Sequence, residues 1–507
     1  MNMEGRNPKY AKYWSADGLH HCSPLRMAGF ACNNLATNMY FMIMAMASFY
    51  LNGFVGLAVM AASSFAAVMR VWDAVTDPMI GFIIDRTNGK FGKMRPFMVI
   101  GNIGMHITSF LLFHVTHQLP EGFARIAFYT VICVVYYIFF TFQNAITRAG
   151  QAVMTNDPKQ RPLFSMFNVI IPIVVMTVVT WHRTNILIPK YGSYYSTGLF
   201  HDMWLVAFCT SVVCTIIAVI AIAPKDQPEF YGVNTATKAA KISFKDYAEV
   251  LKGNKAIRWL ILAACSDKFA TQANHTSINI VLWGLVVGNN ALSGGMGIYT
   301  NGFTIIFALL GYGVVAQKLG LRKTYVVGSL GGIVLNLCMI MLWVFGDPTT
   351  MNLPGYEGFN GFSLFTILYM VLIIAKGGFG TMTGDIVLPM ISDCTDYEVY
   401  HSGKFVPGLM GTLFSLVDKG ISSISPMFTG LIFSFIGFAD AYPDLTTQLT
   451  PTLFAVALFI AYGLPSIGLA INIIAMKFYP LTKEKMAEIQ DEIARIKARD
   501  MAAIEQK

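Results

Sequence analysis

The chain has 507 residues, of which 55% are hydrophobic and only 13% are charged, and its mean hydropathy is +0.55. Soluble domains carry roughly 25% charged residues, so this composition excludes an ordinary soluble fold and indicates an integral membrane protein. The formal net charge of +8 comes from short basic clusters between apolar runs. That distribution follows the positive-inside rule and excludes a nucleic-acid-binding surface.

Apolar runs long enough to cross a membrane, which takes about 20 residues, recur along the chain. The sequence predicts about twelve such spans, with starts near residues 25, 57, 96, 124, 163, 200, 256, 295, 324, 361, 405 and 448. An even number of spans places both termini on one side. Linkers such as TNDPKQRP and QKLGLRKTY are basic, whereas VGNNALSGG on the other side is uncharged. We therefore expect a multi-pass protein of the cell (inner) membrane with cytoplasmic termini.

The longest polar interior stretch, residues 223–255, divides the spans into two groups of about six. It predicts an N-terminal half at 1–222, a cytoplasmic loop, and a C-terminal half at 256–479. Residues 480–507 have helical periodicity and mixed charge, typical of a solvated cytoplasmic helix. GKMRPFMVIG follows the second span and GLRKTYVVGS follows the eighth, which indicates a parallel internal repeat.

Two acids interrupt the second apolar run, in RVWDAVTDPMIGFIID. Asp73 and Asp77 are four residues apart, so on a helix they share one face, about 6 Å apart. Two carboxylates this close inside a membrane do not both stay ionised unless a cation or proton joins them. Pro78 has no N–H, which frees the carbonyl of Ala74. These oxygens are hard ligands suited to Na⁺, Li⁺ or H₃O⁺.

A purely structural alternative pairs Asp73 with Arg70 and makes Asp77 the cap of a broken helix. The internal repeat argues against it. The positions equivalent to the two acids are Asn301 and Ile305 in the second half. Packing of the repeated architecture therefore does not require acids here.

The segment RVWDAVTDPMIGFIIDRTNGKFGKMRPF closely resembles the glycoside–pentoside–hexuronide cation symporters, the melibiose-carrier group of the major facilitator superfamily. SDCTDYEVYHSGKFVPGLMGTLFSLVDKG resembles that family's second signature and includes its lysine, Lys419. The resemblance implies an all-α membrane protein with twelve helices in two six-helix halves. It also implies a central substrate cavity, and Asp73 and Asp77 as cation ligands.

Several positions depart from the melibiose carrier. Asn144 stands where that carrier has an acid, and Arg148 and Val169 replace a sugar-stacking tryptophan and a sugar-binding arginine. Asn34 or Thr37 stands where it has a sugar-binding aspartate. The predicted cation site is therefore largely kept, with ligands at Asp73, Ala74, Asp77 and Asn144, while melibiose is not the expected substrate.

Other polar residues within apolar runs are candidates for substrate contact, because amides hydrogen-bond hydroxyls as donor and acceptor. Arg148 could hold a substrate carboxylate in a bidentate fork or neutralise the two acids. The alternatives are interhelical packing for the amides and snorkelling for the arginine. The predicted substrate-binding set is Asn34, Thr37, Asn38, Gln143, Arg148, Lys376, Asp385 and Lys419.

The loop DRTNGKFGKMRPF is basic, which orients the chain in the membrane. The resemblance also implies a gating role, through salt bridges, for Asp85, Arg86, Lys93 and Arg95.

The sequence thus predicts a secondary symporter that couples Na⁺ or H⁺ entry to uptake of a glycoside, pentoside, hexuronide or oligosaccharide by alternating access. A functional monomer in the lipid bilayer is expected. A lysolipid carrier on the same scaffold is the alternative. A membrane enzyme or sensor fits less well, because H-E-x-x-H, G-x-S-x-G and Walker motifs are lacking. No enzyme activity and no organic cofactor are expected.

Overall fold

The architecture comes from a computed structural model, which describes residues 13, 20–87, 89–155, 160–227, 230, 251–273, 276–384, 386–402, 407–489 and 491–492. Twelve long helices dominate this part of the chain. The first six are α1 Pro24–Met44, α2 Val59–Arg86, α3 Arg95–Phe110, α4 Phe123–Met154, α5 Arg161–His182 and α6 Thr197–Ile222. The next six are α7 Lys255–Gln272, α8 Ala291–Leu319, α9 Leu321–Phe345, α10 Leu364–Gly384, α11 Pro407–Phe435 and α12 Leu464–Phe478.

Further helical stretches, of which Val387–Ser402 is the longest at 16 residues, extend six of these helices. They are Ala47–Tyr50 and Leu51–Val55 after α1, Leu111–Val115 and Thr116–Gln118 after α3, Arg183–Leu187 and Ile188–Tyr191 after α5, Thr276–Asn279 and Ile280–Val286 after α7, Val387–Ser402 after α10, and Pro451–Leu458 and Phe459–Gly463 before α12. Pro348–Thr350 is a separate single turn.

The chain forms two compact units. The first comprises Met1–Lys238 with Phe433–Leu445, and the second comprises Ala239–Ile432 with Thr446–Lys507. In the first unit α1 packs on α5 and α6, and α3 packs on α4. In the second unit α7 packs on α12, and α10 packs on both α8 and α9. The all-helical architecture, with six long helices on each side of the central loop, is the predicted one.

Seven helical segments in the described part of the chain are long and apolar enough to cross a membrane. These seven include α4, α6 and α9 but not α1 or α2. α7, α8 and α11 are also absent from the seven. α1 and α2 carry the predicted site amides and acids, whose polarity lowers the hydropathy of the helices that hold them. In lipid, such polar side chains must lie against protein or a water-filled cavity.

Glycines allow close approach of α3 and α4. A Cβ at Gly101 would lie 2.9 Å from the Phe139 carbonyl oxygen, and one at Gly104 would collide with the Phe139 ring. Small residues of this kind drive helix association in membranes, where packing replaces the hydrophobic effect.

The start of the C-terminal tail packs onto the second unit. Residues 483–489 are helical, and Ile489 is fully buried in a core cluster with Tyr325 and Tyr479. This part of the tail is therefore anchored, while residues 493–507 of the predicted solvated helix lie outside the described residues.

Candidate functional site

The two acids lie on an uninterrupted helix. α2 continues for about two turns beyond Pro78, so Asp77 does not cap a helix end. Asp73 and Asp77 are both half-buried and both take part in polar interactions. Their four-residue spacing on a regular helix keeps them on one face.

A hydroxyl from α4 reaches the first acid. Thr141 is buried, and its hydroxyl donates to Asp73 Oδ1 at 3.0 Å or, as the alternative acceptor, to the Tyr137 carbonyl oxygen of its own helix at 2.9 Å. Thr76 donates to the Asp73 carbonyl oxygen at 3.0 Å, and the two threonine hydroxyls are 3.5 Å apart. Carboxylate, carbonyl and hydroxyl oxygens therefore meet between α2 and α4. Sequence reasoning missed Thr141, although it lies three residues before Asn144 and so on the same helix face.

Asn144 lies one turn beyond Thr141 on α4, is half-buried, and makes no hydrogen bond with a described residue. The spacing of three residues places Asn144 on the same face of α4 as Thr141, which contacts Asp73. The side chains of Ala74 and Arg148 lie outside the described residues.

The amides of α1 form a short hydrogen-bonded chain. Asn38 Nδ2 donates to Asn34 O at 2.8 Å and to Asn34 Oδ1 at 3.0 Å. Asn34 Nδ2 donates to the Asn168 carbonyl of α5 at 3.1 Å, and the buried Thr37 hydroxyl donates to the Asn34 carbonyl at 2.9 Å. Asn34 and Asn38 are half-buried, so the pair keeps exposed polar atoms.

Gln143 has a different position from its neighbour Asn144. It is fully buried, and its Nε2 donates to Asn33 Oδ1 at 3.2 Å and to Thr215 Oγ1 at 2.8 Å. Its Oε1 accepts a 3.3 Å hydrogen bond from Asn102. These bonds join α1, α3, α4 and α6, so the geometry assigns Gln143 to interhelical packing, and we leave it out of the proposed substrate site.

The second unit contains a cavity of about 490 Å³. Its wall from α10 is one helix face, formed by Lys376, Phe379, Gly380 and Thr383. Other helices contribute polar side chains, namely Asp267, Lys268, Thr271, Asn336 and Asp418. A cavity with apolar and aromatic walls and a few charged and polar groups suits a hydroxylated ligand.

Lys376 is the notable cation of this cavity. Its Nζ lies 4.6 Å from the centre of the Tyr462 ring, a cation–π contact, and it forms no ion pair with a described residue. The Tyr462 hydroxyl is itself fixed by a 3.1 Å hydrogen bond from Trp343 Nε1. An ammonium without a carboxylate partner inside a membrane protein is available to an anionic group.

Of the remaining predicted substrate residues, Asp385 lies outside the described residues. Lys419 is half-buried, takes part in polar interactions, and follows Asp418, which lines the cavity. Asn336, which sequence reasoning missed, is buried in the cavity wall, and its Oδ1 has no hydrogen-bond partner among the described residues.

The predicted gating loop is held within the first unit. The fully buried Asp226, just after α6, accepts hydrogen bonds of 2.9 to 3.1 Å from the backbone N–H groups of Lys93, Met94 and Arg95. Its carboxylate also accepts from Arg95 Nε at 3.2 Å. Gly92 has φ +85°, and a Cβ there would collide with the carboxylate. The side chains of Asp85 and Arg86 lie outside the described residues.

The profile of the family described as MFS/sugar transport protein matches residues 29–483. The chain belongs to this family of the major facilitator superfamily. Membership confirms the resemblance to the glycoside–pentoside–hexuronide cation symporters, and makes the protein a multi-pass membrane transporter of the sugar-transport class rather than an enzyme.

Two relatives of this transporter match it over most of its length. The glucuronide carrier protein homolog of Escherichia coli K12 is 24% identical over 472 residues, which is 92% of this chain and 94% of that protein. The isoprimeverose transporter of Lactiplantibacillus pentosus is 22% identical over 468 residues, 90% of this chain and 88% of that protein.

Solved structures agree on the fold. The xylose transporter XylE from E. coli superposes with a TM-score of 0.54 at 12% identity, covering 91% of this chain and 98% of that chain. A bacterial homolog of the human lysosomal transporter Spinster superposes with a TM-score of 0.56 at 14% identity, covering 96% and 99%. The predicted major facilitator fold is thereby confirmed.

Proposed function

We propose that the protein is a symporter in which a monovalent cation or proton binds at Asp73 and Asp77 and thereby promotes binding of a sugar. The hydrogen bond from Thr141 to Asp73 carries the proposal, because it brings an oxygen of α4 to the acid pair of α2. The proposed ligands are the two carboxylates, the carbonyl of Ala74, the Thr141 hydroxyl and the Asn144 amide oxygen.

The ion is Na⁺ or H⁺. An acid at position 144 would add a third negative charge, and each charge contributes several kcal/mol at contact range for an effective dielectric near 20. A neutral amide there favours use of a proton, since two neighbouring acids readily share one. Proton coupling is therefore the expected mode, with Na⁺ as the competing ion.

The proposed substrate is a glycoside, pentoside or hexuronide. The two relatives are named for transport of a glucuronide and of isoprimeverose, an acidic and a neutral sugar conjugate. Lys376 favours the acidic class, because its ammonium lines a polar cavity and has no ion-pair partner among the described residues. Arg148, Lys419, Asp385, Asn34, Thr37 and Asn38 complete the proposed substrate-binding set.

Transport follows by alternating access, in which the two halves open the site to each side in turn. Coupling requires that cation and sugar raise each other's affinity by the same factor. The protein is proposed to act as a monomer in the inner membrane with both termini cytoplasmic, and Asp85, Arg86, Lys93 and Arg95 are proposed to contribute to cytoplasmic gating.

Uptake of a labelled glucuronide into vesicles, driven by an imposed Na⁺ or H⁺ gradient, tests this proposal. We expect the wild type to accumulate the sugar and Asp77→Asn to lose accumulation at normal abundance in the membrane. Asp347→Asn, in an exposed loop turn, is the matched control and should behave as the wild type. Accumulation by Asp77→Asn equal to that of the wild type would remove the cation site from this helix.

A further inference from the structure

The second unit has a groove at one end, between the start of α9 and the end of α12. It encloses about 660 Å³ and lies at the end that carries the basic linker QKLGLRKTY. Its lining divides into a basic rim and an apolar floor. The rim consists of Arg322, Lys323, Lys477 and Lys483 with Thr482, and the floor includes Val326, Val327, Ile473 and Ile474.

The cations of the rim form few hydrogen bonds with the described residues. Arg322 donates from Nε to the Met476 carbonyl at 2.8 Å and from Nη2 to the Lys477 carbonyl at 3.1 Å. Both bonds go to neutral oxygens at the end of α12. Lys323 and Lys477 are exposed and form no hydrogen bond or ion pair with a described residue. The adjacent acid, Glu484, interacts electrostatically with Lys323 and Lys483, so the four rim cations outnumber the acids beside them.

The floor continues into an exposed apolar surface. On α9, Val327 is 37% exposed, and Leu330 and Val334 follow at helical spacing with 50% and 57%. On α12, Ile474 and Ile467 are 57% and 49% exposed. In a membrane transporter such a stripe faces acyl chains. A ligand of the groove would thus have its polar part at the cations and its apolar part along the two helices.

The first unit gives an internal comparison through the repeat. Gly92 and Gly320 begin the equivalent segments, and both have positive φ, +85° and +79°. Counted from the proline after α6 and α12, Asp226 corresponds to Thr482. Arg95 pairs with the fully buried Asp226, whereas the position equivalent to Asp226 holds a neutral threonine, Thr482. The nearest acid, Glu484, accepts a hydrogen bond from the Thr482 side chain and is exposed, so the second unit has no buried carboxylate at this position.

We propose that this groove binds an anionic phospholipid of the cytoplasmic leaflet, with the phosphate in the place that the Asp226 carboxylate takes in the first unit. The phosphodiester accepts hydrogen bonds from Lys323 and Lys477, and the acyl chains lie along Val327 and Ile474. Basic pockets between membrane helices on the cytoplasmic side suit anionic headgroups. The site lies outside the polar cavity of the second unit and does not depend on the proposed symport.

The full-length protein in a neutral detergent is titrated with phosphatidylglycerol, and bound lipid is read by native mass spectrometry and by melting temperature. Phosphatidylcholine with the same acyl chains and inorganic phosphate are the other two probes. Phosphatidylglycerol should bind and raise the melting temperature, while the other two should do neither at the same concentration. Equal stabilisation by phosphatidylcholine, or saturation by inorganic phosphate, would overturn a site for an anionic lipid.

Variants locate the effect in the groove. Lys323→Gln with Lys477→Gln should weaken phosphatidylglycerol binding about 25-fold, at roughly fivefold for each lysine. The control, Lys252→Gln with Lys255→Gln, removes equal charge at exposed positions outside the groove and should bind as the wild type. If both double variants weakened phosphatidylglycerol binding equally, the effect would come from general surface charge, and the proposal would be overturned.

A third variant uses the internal comparison. Thr482→Asp supplies the carboxylate that the first unit carries at Asp226, and it should weaken phosphatidylglycerol binding without lowering the melting temperature of the lipid-free protein. Undiminished lipid binding by Thr482→Asp would show that the phosphate does not occupy this position, and would overturn the proposal.

Discussion

Thr141 donates a 3.0 Å hydrogen bond to the carboxylate of Asp73, and this bond joins α4 to the acid pair of α2. A hydroxyl has one proton to donate and two lone pairs to offer. The Thr141 proton is shared between Asp73 Oδ1 at 3.0 Å and the Tyr137 carbonyl oxygen at 2.9 Å, and in either case the Thr141 oxygen has lone pairs left for a cation. The bond therefore has two effects. It fixes the rotamer of Asp73, and it places the Thr141 oxygen beside the carboxylate as a further ligand.

Thr141→Val tests this relationship, because valine has nearly the same shape and lacks the hydroxyl. A hydrogen bond to a charged group contributes about 1.5–3 kcal/mol, so the half-saturating cation concentration for uptake should rise about 10- to 100-fold. Uptake is measured against Na⁺ at fixed pH and against pH without Na⁺. Thr130→Val is the control, since among the described residues the Thr130 hydroxyl bonds only the Ile126 carbonyl of its own helix. Superimposable curves for Thr141→Val and the wild type would contradict the assignment.

Lys376→Gln tests the proposed preference for acidic sugars. The change removes the ammonium while keeping a hydrogen-bond donor of similar length, and a charge-assisted bond is about twice as strong as a neutral one. The apparent affinity for a uronide should fall at least about tenfold more than that for its neutral analogue. Competition against one labelled sugar measures both values. Lys255→Gln, outside the cavity, is the control and should change the apparent affinity for neither sugar. An equal loss of affinity for the two sugars in Lys376→Gln would mean that Lys376 does not contact the carboxylate.

Gly380→Leu tests whether the cavity of the second unit holds the substrate. No heavy atom lies within 4 Å of a Cβ placed at Gly380, which lines the cavity, so leucine should fill the cavity without a backbone clash. We expect uptake to fall at least about tenfold while the melting temperature stays near that of the wild type, because leucine is also the better helix former.

Gly378→Ala, two residues away, is the counterpart to that change. A Cβ at Gly378 would collide with the Phe307 ring, so alanine should lower the melting temperature. Comparing uptake and melting temperature in the two variants distinguishes a blocked cavity from disrupted helix packing. Wild-type uptake by a stable Gly380→Leu protein would place the substrate elsewhere.

The helices and the acid pair could be predicted from the sequence because both are local features. An apolar run predicts a membrane span. A carboxylate within that run indicates function, because placing a charge in the membrane costs considerable free energy. Thr141 and Asp226 could not be predicted in this way. Thr141 bonds a residue 68 positions away, and Asp226 holds a loop about 131 positions away. Neither threonine nor an acid just after a span is unusual in isolation, so their roles depend on helix packing.

Gln143 and Asn144 show most directly what the sequence alone does not predict. The sequence predicts Asn144 as a cation ligand and Gln143 as a substrate contact, so both adjacent amides are expected to face a binding site. Neighbouring residues on a helix point about 100° apart, so one amide enters the bonds among α1, α3, α4 and α6 while the other lies on the face of Thr141. Residue type predicted two polar side chains in a membrane, but only the orientation of α4 separates packing from a candidate site.

The N-terminal segment should make stability dependent on pH. His20, which precedes α1, is 3% exposed, and its Nδ1 lies 3.3 Å from the Nζ of Lys225. Burial, and secondarily the Lys225 charge, lowers the pKa of His20 from 6.5 to about 4. The unfolded chain therefore binds a proton between these pH values that the folded protein does not. Folding stability from this residue is complete above pH 6.5 and declines as the pH falls to 4, by about 3 kcal/mol in total.

Melting temperatures of the purified protein between pH 4 and pH 8 measure this dependence. His20→Asn cannot take up the proton, so its melting temperature should fall less steeply below pH 6.5 than that of the wild type. His401→Asn, at an exposed position, should retain the full slope. Lys225 lies over the rings of Tyr13 and Phe230, at 4.7 and 4.3 Å. Burial lowers the pKa of Lys225 to about 8, so it stays a cation between pH 4 and pH 6.5, where His20 takes up its proton. If the slope of His20→Asn equals that of the wild type, the acid sensitivity arises from carboxylates elsewhere, and His20 takes up its proton without unfolding the segment.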